Sequence, residues 1–164
     1  MLIHWYRISH WCHTHQLTVL SGLICKVQYL LFNSYLPGSC TIGKGTKLAY
    51  GGIGIVVHAR AIMGGGGLIG QGVTIGGKSG WYEVPIIGDN VHISAGARIL
   101  GPIHIGNNVI IGANAVVVKD VPDNCIVAGI PAKIIKKGIS LKDYEGDTAV
   151  KYRADTSWPV TPDL

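Results

Sequence analysis

Residues 87–117 read IGDNVHISAGARILGPIHIGNNVIIGANAVV, and isoleucine or valine returns there at every sixth position: Ile87, Ile93, Ile99, Ile105, Ile111, Val117. Working back toward the N-terminus, Val57, Met63, Ile69 and Ile75 hold the same phase. Gly or Ser usually follows the first residue of each hexad (Gly64, Gly70, Gly76, Gly88, Ser94, Gly106, Gly112). An apolar residue stands four on (Ala61, Val73, Val91, Ala97, Ile103, Val109, Ala115). Neither the 3.6 period of a helix nor the alternation of an ordinary strand keeps such a register over sixty residues. Self-similarity at six residues is the mark of a β-helix. Each hexad supplies one short strand and one corner. Its aliphatic residue points inward, and the small residue lets the chain bend.

Two interruptions are visible. After Ile42 and Leu48 the next inward position is Val57, so three extra residues bulge outward within Tyr50–Gly54. Between Ile75 and Ile87 the count is kept, but residues 76–85 (GGKSGWYEVP) do not read as a hexad and predict a loop. Around the coil, residues 1–38 form an N-terminal segment of helical pattern. Its Trp5, Trp11, Leu17, Leu20, Leu23, Ile24, Val27, Leu30, Leu31 and Tyr35 predict packing against the coil or a neighbouring subunit. Residues 39–137 are the coil, and residues 138–164 are polar, aperiodic and read as a mobile tail or docking arm.

Composition narrows the function classes. Charged residues are 14% of 164 and the net charge is +5, with Lys133, Lys136 and Lys137 clustered past the repeats. That pattern suits a small anionic ligand; without basic–aromatic interleaving it does not suit nucleic acid. Flat, sparsely charged faces favour a homo-oligomer. Lys26, Gln28, Asn33 and Ser34 interrupt the apolar stretch from Leu17 to Leu36, so a membrane span is not expected and peripheral contact is the lesser alternative. No charged n-region or cleavage site of a signal peptide is read at the start. Cys12, Cys25, Cys40 and Cys125 are scattered without metal or disulfide spacing, as in a reduced cytoplasmic protein. His4, His10, His13 and His15 lie at helical spacing without a second cluster, so no metal is expected.

The blocks VTIGG (73–77), IGDNVHISAGARILGPIHIGNNVIIGANAVV (87–117) and VVVKDVPDNCIVAGIPAKIIKK (116–137) resemble the hexapeptide-repeat acyltransferases. Within them, the serine O-acetyltransferase branch and its relatives in surface-polysaccharide acetylation are the nearest pattern. The resemblance covers residues 40–137. It implies a left-handed parallel β-helix, a homotrimer with sites between adjacent coils, and acetyl-CoA as donor. The acceptor it implies is a hydroxyl of serine or of a sugar in a surface-polysaccharide precursor. The donor-side pattern transfers to Ala95 and Ala113, one coil apart, where the pantetheine arm needs small residues. It transfers also to Gly76 and Gly77 near the thioester, to Val118 and Lys119, and to Lys133 and Lys136 at the nucleotide end.

The acceptor side departs from the pattern. Serine acetyltransferases carry an Asp-His pair where this chain has Tyr50-Gly51, and a second His where it has Val84. A base is still needed to take the hydroxyl proton, and histidine suits that role. His58, at a corner beside the first bulge, is the candidate base; a structural corner residue is its other reading. Glu83, in the irregular loop, is the candidate to orient His58 or to act alone; its other reading is an exposed carboxylate. His92 and His104 occupy outward positions and read as surface or inter-subunit residues. Two further functions stay open: an acyltransferase with an amine acceptor, and a non-catalytic hexapeptide scaffold.

Overall fold

The structure is a computed structural model that describes residues 2–144. Two helices, α1 (Leu2–Thr14) and α2 (Thr18–Phe32), precede a left-handed parallel β-helix with three faces. The first face stacks β1 (Thr41–Ile42), β4 (Ile62–Met63), β7 (Ile86–Ile87) and β10 (His104–Ile105). The second stacks β2 (Lys47–Leu48), β5 (Leu68–Ile69), β8 (His92–Ile93), β11 (Ile110–Ile111) and β13 (Cys125–Gly129), and is closed by antiparallel β14 (Ala132–Lys137). The third stacks β3 (Val56–Val57), β6 (Thr74–Gly76), β9 (Arg98–Leu100) and β12 (Val116–Val117).

The hexad rule places the core. Ile42, Val57, Met63, Ile69, Ile75, Ile87, Ile93, Ile99, Ile105, Ile111 and Val117 are all buried, as are the residues two before them from Ala61 to Ala115. Each inward side chain rests on its equivalent one rung away, so burial is shared along the stack and no face holds without its neighbours. On the first and second faces the position after the inward residue is small because rungs nearly touch there. A methyl at Gly70 would lie 2.6 Å from the Ala95 amide nitrogen, and one at Gly88 2.9 Å from the Gly106 carbonyl.

Both interruptions resolve in the register. Thr41 pairs Ile62 with three residues more than the turn that joins Val56 to Thr74, the excess forming a short 3-10 turn at Ala49–Gly52. Ile62 pairs Ile86 with six residues more. One whole hexad has therefore been extruded as a loop over residues 77–85, and Trp81, which stands where an inward residue would, is exposed. The corner between the first and second faces is tied by side-chain ladders. Asn90 donates to Asn108 Oδ1 at 3.2 Å, and Asn108 to Asn124 Oδ1 at 3.0 Å, all three in the left-handed region that asparagine tolerates.

A coil end presents unpaired backbone groups, and the N-terminal segment satisfies them. Tyr6 Oη donates to the Cys40 carbonyl at 2.8 Å and accepts from the Ile42 amide at 2.9 Å. The Arg7 guanidinium donates to the Ile42 and Gly43 carbonyls. Tyr35 adds a bridge beside Val56 on the third face. Burial pushes the Tyr6 hydroxyl and Cys40 thiol up, Cys40 to about 12, and raises Cys25, so these groups stay protonated near neutrality.

Of the two partners expected for the leucines of α2, the coil of the same chain is not the one they meet. The helix's buried residues are Ser21, Cys25 and Gln28, while Leu20, Leu23, Val27, Leu30 and Leu31 are exposed. The reason is space. Ser9 Oγ lies 3.0 Å from Ser21 Oγ, and a methyl at Gly38 would fall 2.4 Å from each of Ser21 Oγ and the Ser9 carbonyl oxygen. Only small side chains fit where the two helices and the first rung converge. The tail reading is also revised in part: Ile139 is buried and its amide donates to the Asn124 carbonyl at 3.1 Å. The rest of that segment, residues 145–164, lies outside the described residues.

Replacing Tyr6 with Phe keeps the ring and strands a buried carbonyl and amide. It is expected to cost about 2 kcal/mol, since each buried unsatisfied group costs roughly 1–3 kcal/mol. Urea unfolding of the two proteins checks it.

Candidate active site

Which of the expected site residues share a place follows from the three faces. His58 comes one residue after the inward Val57, at the corner leaving the third face, and the equivalent positions above it are Gly76, Leu100 and Val118. One step further round stand Gly77 and Lys119. His58, Gly76, Gly77, Val118 and Lys119 therefore line a single corner. Val118 and Lys119 are exposed; Gly76, Gly77 and His58 are half-buried.

Ala95 and Ala113 occupy the opposite corner, entering the third face. The Asn114 amide donates to the Ala95 carbonyl at 2.9 Å, which stacks the two alanines one rung apart. Lys133 continues that edge: it pairs with Ala128, whose Cβ would lie 2.9 Å from a methyl at Gly112. The donor-side residues are thus split between two edges of one face. The five steps along the chain from Ala113 to Val118 span at most about 17 Å. Lys136 is not part of either group. It pairs with Ile126 at the other end of β13, and its ammonium donates to Tyr144 Oη at 2.9 Å.

The His58 ring is held from below. Its Nδ1 accepts the Arg60 amide at 3.2 Å, and its own backbone amide donates to the Ile75 carbonyl at 2.8 Å. An Nδ1 that accepts leaves the neutral ring's proton on Nε2. The Nε2 edge faces the extruded loop: a methyl at Gly77 would be 3.9 Å from Nε2 and 3.3 Å from Val84 Cγ1. Neutral His58 therefore presents an N–H donor toward the loop, with no free lone pair there.

Glu83 lies in that loop and is exposed, and no hydrogen bond or ion pair joins it to His58 among the described residues. The loop is anchored at its C-terminal end by buried Val84 and by the Ile62 amide, which donates to the Pro85 carbonyl at 3.4 Å. Its middle is fastened by Arg60, whose guanidinium lies 4.2 Å from the centre of the Tyr82 ring and donates to the Tyr82 carbonyl. Arg60 has no counterpart in the sequence reading. It stands 22 residues from its partner, and no periodicity links a corner arginine to an extruded hexad.

His92 is half-buried on the outer side of β8, and His104 is exposed on β10. No group of three or more His, Cys, Asp or Glu able to hold a metal ion occurs among the described residues.

The model of the bacterial transferase hexapeptide (six repeats) family matches residues 85–119. A serine acetyltransferase of Synechococcus elongatus is 39% identical over 132 residues, 79% of this chain and 54% of that protein. The crystal structure of the Neisseria gonorrhoeae serine acetyltransferase superposes with a TM-score of 0.79 at 35% identity, covering 85% of this chain and 54% of that one. The Brucella abortus serine acetyltransferase in complex with coenzyme A superposes with a TM-score of 0.79 at 33% identity, covering 84% and 56%. The chain thus spans little more than half the length of these relatives.

Removing the Arg60 side chain is expected to free the loop without unfolding the coil. Arg60→Ala should raise the rate of limited proteolysis within residues 77–85 about tenfold while lowering global stability by less than about 1 kcal/mol, as exposed cation–π contacts contribute. Mass mapping of the first cleavage, beside a thermal melt, measures both.

Proposed function

The chain belongs to the hexapeptide-repeat superfamily of left-handed β-helices, and from that premise we propose that it is an acetyl-CoA-dependent O-acetyltransferase acting on a hydroxyl acceptor. One observation carries the donor half. The small-residue edge of Ala95 and Ala113, ending at exposed Lys133, lies on a fold shared with a relative solved with coenzyme A. The exposed Lys133 ammonium would meet a phosphate of the donor, and the alanines leave room for its apolar arm. Because the residues divide between two corners of one protomer, the working groove forms where the His58 corner of one copy meets the alanine edge of another. A homotrimer satisfies this with three equivalent grooves.

Bound acetyl-CoA supplies an activated acetyl thioester. The protein must then hold the carbonyl oxygen, take the acceptor's proton and deliver a proton to the departing sulfur. His58, with its Nε2–H directed to the loop, is suited to hydrogen-bond the oxygen on which negative charge develops. The proton acceptor is then Glu83, on the same loop, exposed toward whatever enters the groove. The acceptor oxygen bonds the acetyl carbon, the carbon–sulfur bond breaks, and the proton held by Glu83 passes to sulfur. This assignment differs from a histidine base, and the reason is the Arg60 amide that already occupies Nδ1.

Serine is the first acceptor to test, since the relatives are named for it. A sugar hydroxyl is the second, because Tyr50, Gly51 and Val84 replace the polar residues that serine acetyltransferases carry there.

Thiol release from acetyl-CoA, run against serine and a panel of sugars and sugar nucleotides, is expected to show turnover on one hydroxyl acceptor. His58→Gln, which still offers an N–H, should keep activity within about tenfold, whereas Glu83→Gln should lose about a hundredfold or more. Loss of a hundredfold in His58→Gln, with the acidic limb of the pH–rate profile abolished, would instead make His58 the base. No turnover on any acceptor would favour the scaffold reading.

A further inference from the structure

Helix α2 is built inside out. Its coil-facing side carries Ser21, Cys25 and Gln28, and both polar atoms of the Gln28 amide are buried without a hydrogen-bond partner in the described structure. Its outer side carries Val19, Leu20, Leu23, Val27, Leu30 and Leu31, with Val19 79% and Leu30 82% exposed. Those spacings make a continuous apolar stripe along the helix. Ile8 and Trp11 on α1, and Leu17 in the connection, are exposed as well. Keeping an amide buried while leucines face outward is unfavourable on both sides of the helix, so the outer side is completed by something apolar.

Charge decides what that is. Residues 2–82 contain Arg7, Lys26, Lys44, Lys47, Arg60 and Lys78 and no Asp or Glu; the first acidic residue of the chain is Glu83. Lys26 sits within the stripe, three residues after Leu23 and four before Leu30, and Lys44 and Lys47 are exposed on the rung that the helices cap. Pairing this face with its copy would bring two Lys26 ammoniums together with no carboxylate on either cap to answer them. The complementary partner is apolar at its centre and anionic at its surface, which describes a bilayer containing anionic lipid. The 15-residue helix is about 22 Å long, and no described helix is long and apolar enough to cross a membrane. Such a helix lies in the interface, with its leucines at the acyl boundary and Lys26 reaching back to the headgroups. Trp11 and Tyr29, both exposed, are residues suited to that depth.

We propose that the α1–α2 cap docks the protein on an anionic membrane surface through the outer side of α2. Sedimentation of the full chain with vesicles of phosphatidylcholine and phosphatidylglycerol at 7:3, and with phosphatidylcholine alone, tests it. The expected result is binding to the anionic vesicles, at least tenfold weaker on the neutral ones and weakened by raised salt. Val19→Gln/Leu30→Gln should reduce binding at least tenfold, and Lys26→Gln about fivefold, from the roughly 1 kcal/mol that one basic residue contributes at such a surface. Val19 and Leu30 are the most exposed of the stripe, and a thermal melt unchanged in the double variant shows the cap intact. Should that variant melt early, Lys26→Gln alone decides between retained and weakened binding. No retention on anionic vesicles overturns the proposal. So does light scattering that shows the double variant dissociating an assembly while lipid binding stays absent, which would make the face a contact between chains.

Discussion

One aliphatic side chain per face per rung, resting on its equivalents above and below, is the interaction on which the molecule depends. The stack from Val57 through Ile75 and Ile99 to Val117 on the third face is buried throughout, and the other two faces repeat it. Stacking fixes the rung spacing, and the spacing forces Gly70 and Gly88 to stay without a side chain because the next rung's backbone lies against them. The same spacing sets which corner residues line up. His58, Gly76, Leu100 and Val118 share an edge because they follow inward residues of successive rungs, and for no other reason. Site geometry is inherited from core geometry.

An extruded hexad is how such a coil presents side chains beyond its flat faces. A perfect coil offers only flat faces and bare corners. Pushing residues 77–85 out of register sets Gly77 against His58, leaves a carboxylate and two exposed aromatics on the loop, and costs the core one inward position. Arg60 then restrains what the coil has released. The fastening by the Arg60 amide also sets the tautomer of His58, so one residue both holds the loop and determines what the imidazole offers to it.

Much of this was legible in the sequence because a period of six leaves a direct trace. The coil, its inward residues, the bulge at Tyr50–Gly54 and the loop before Ile87 follow from counting. The direction of α2 did not. Its leucines and its buried Ser21 and Gln28 give a helical pattern either way, and only the close approach of Ser9, Ser21 and Gly38 decides which side turns inward. The division of the donor residues was hidden for a different reason. Ala95 and Val118 are both corner residues in the one-dimensional pattern, and the three-faced winding sends them to opposite edges of the third face. The resemblance groups Lys136 with Lys133, yet on an antiparallel strand three residues carry it away from that edge and onto Tyr144.

In the proposed function the alanine edge is one wall of a coenzyme A groove shared between copies of the chain. Calorimetric titration of coenzyme A into the wild-type protein and into Ala113→Trp, with the mass of each in solution recorded, tests it most directly. Micromolar binding at one site per chain is expected in the wild type, with its loss in the tryptophan variant while the assembly is unchanged. Binding of equal strength in Ala113→Trp, or none in the wild type, would contradict it.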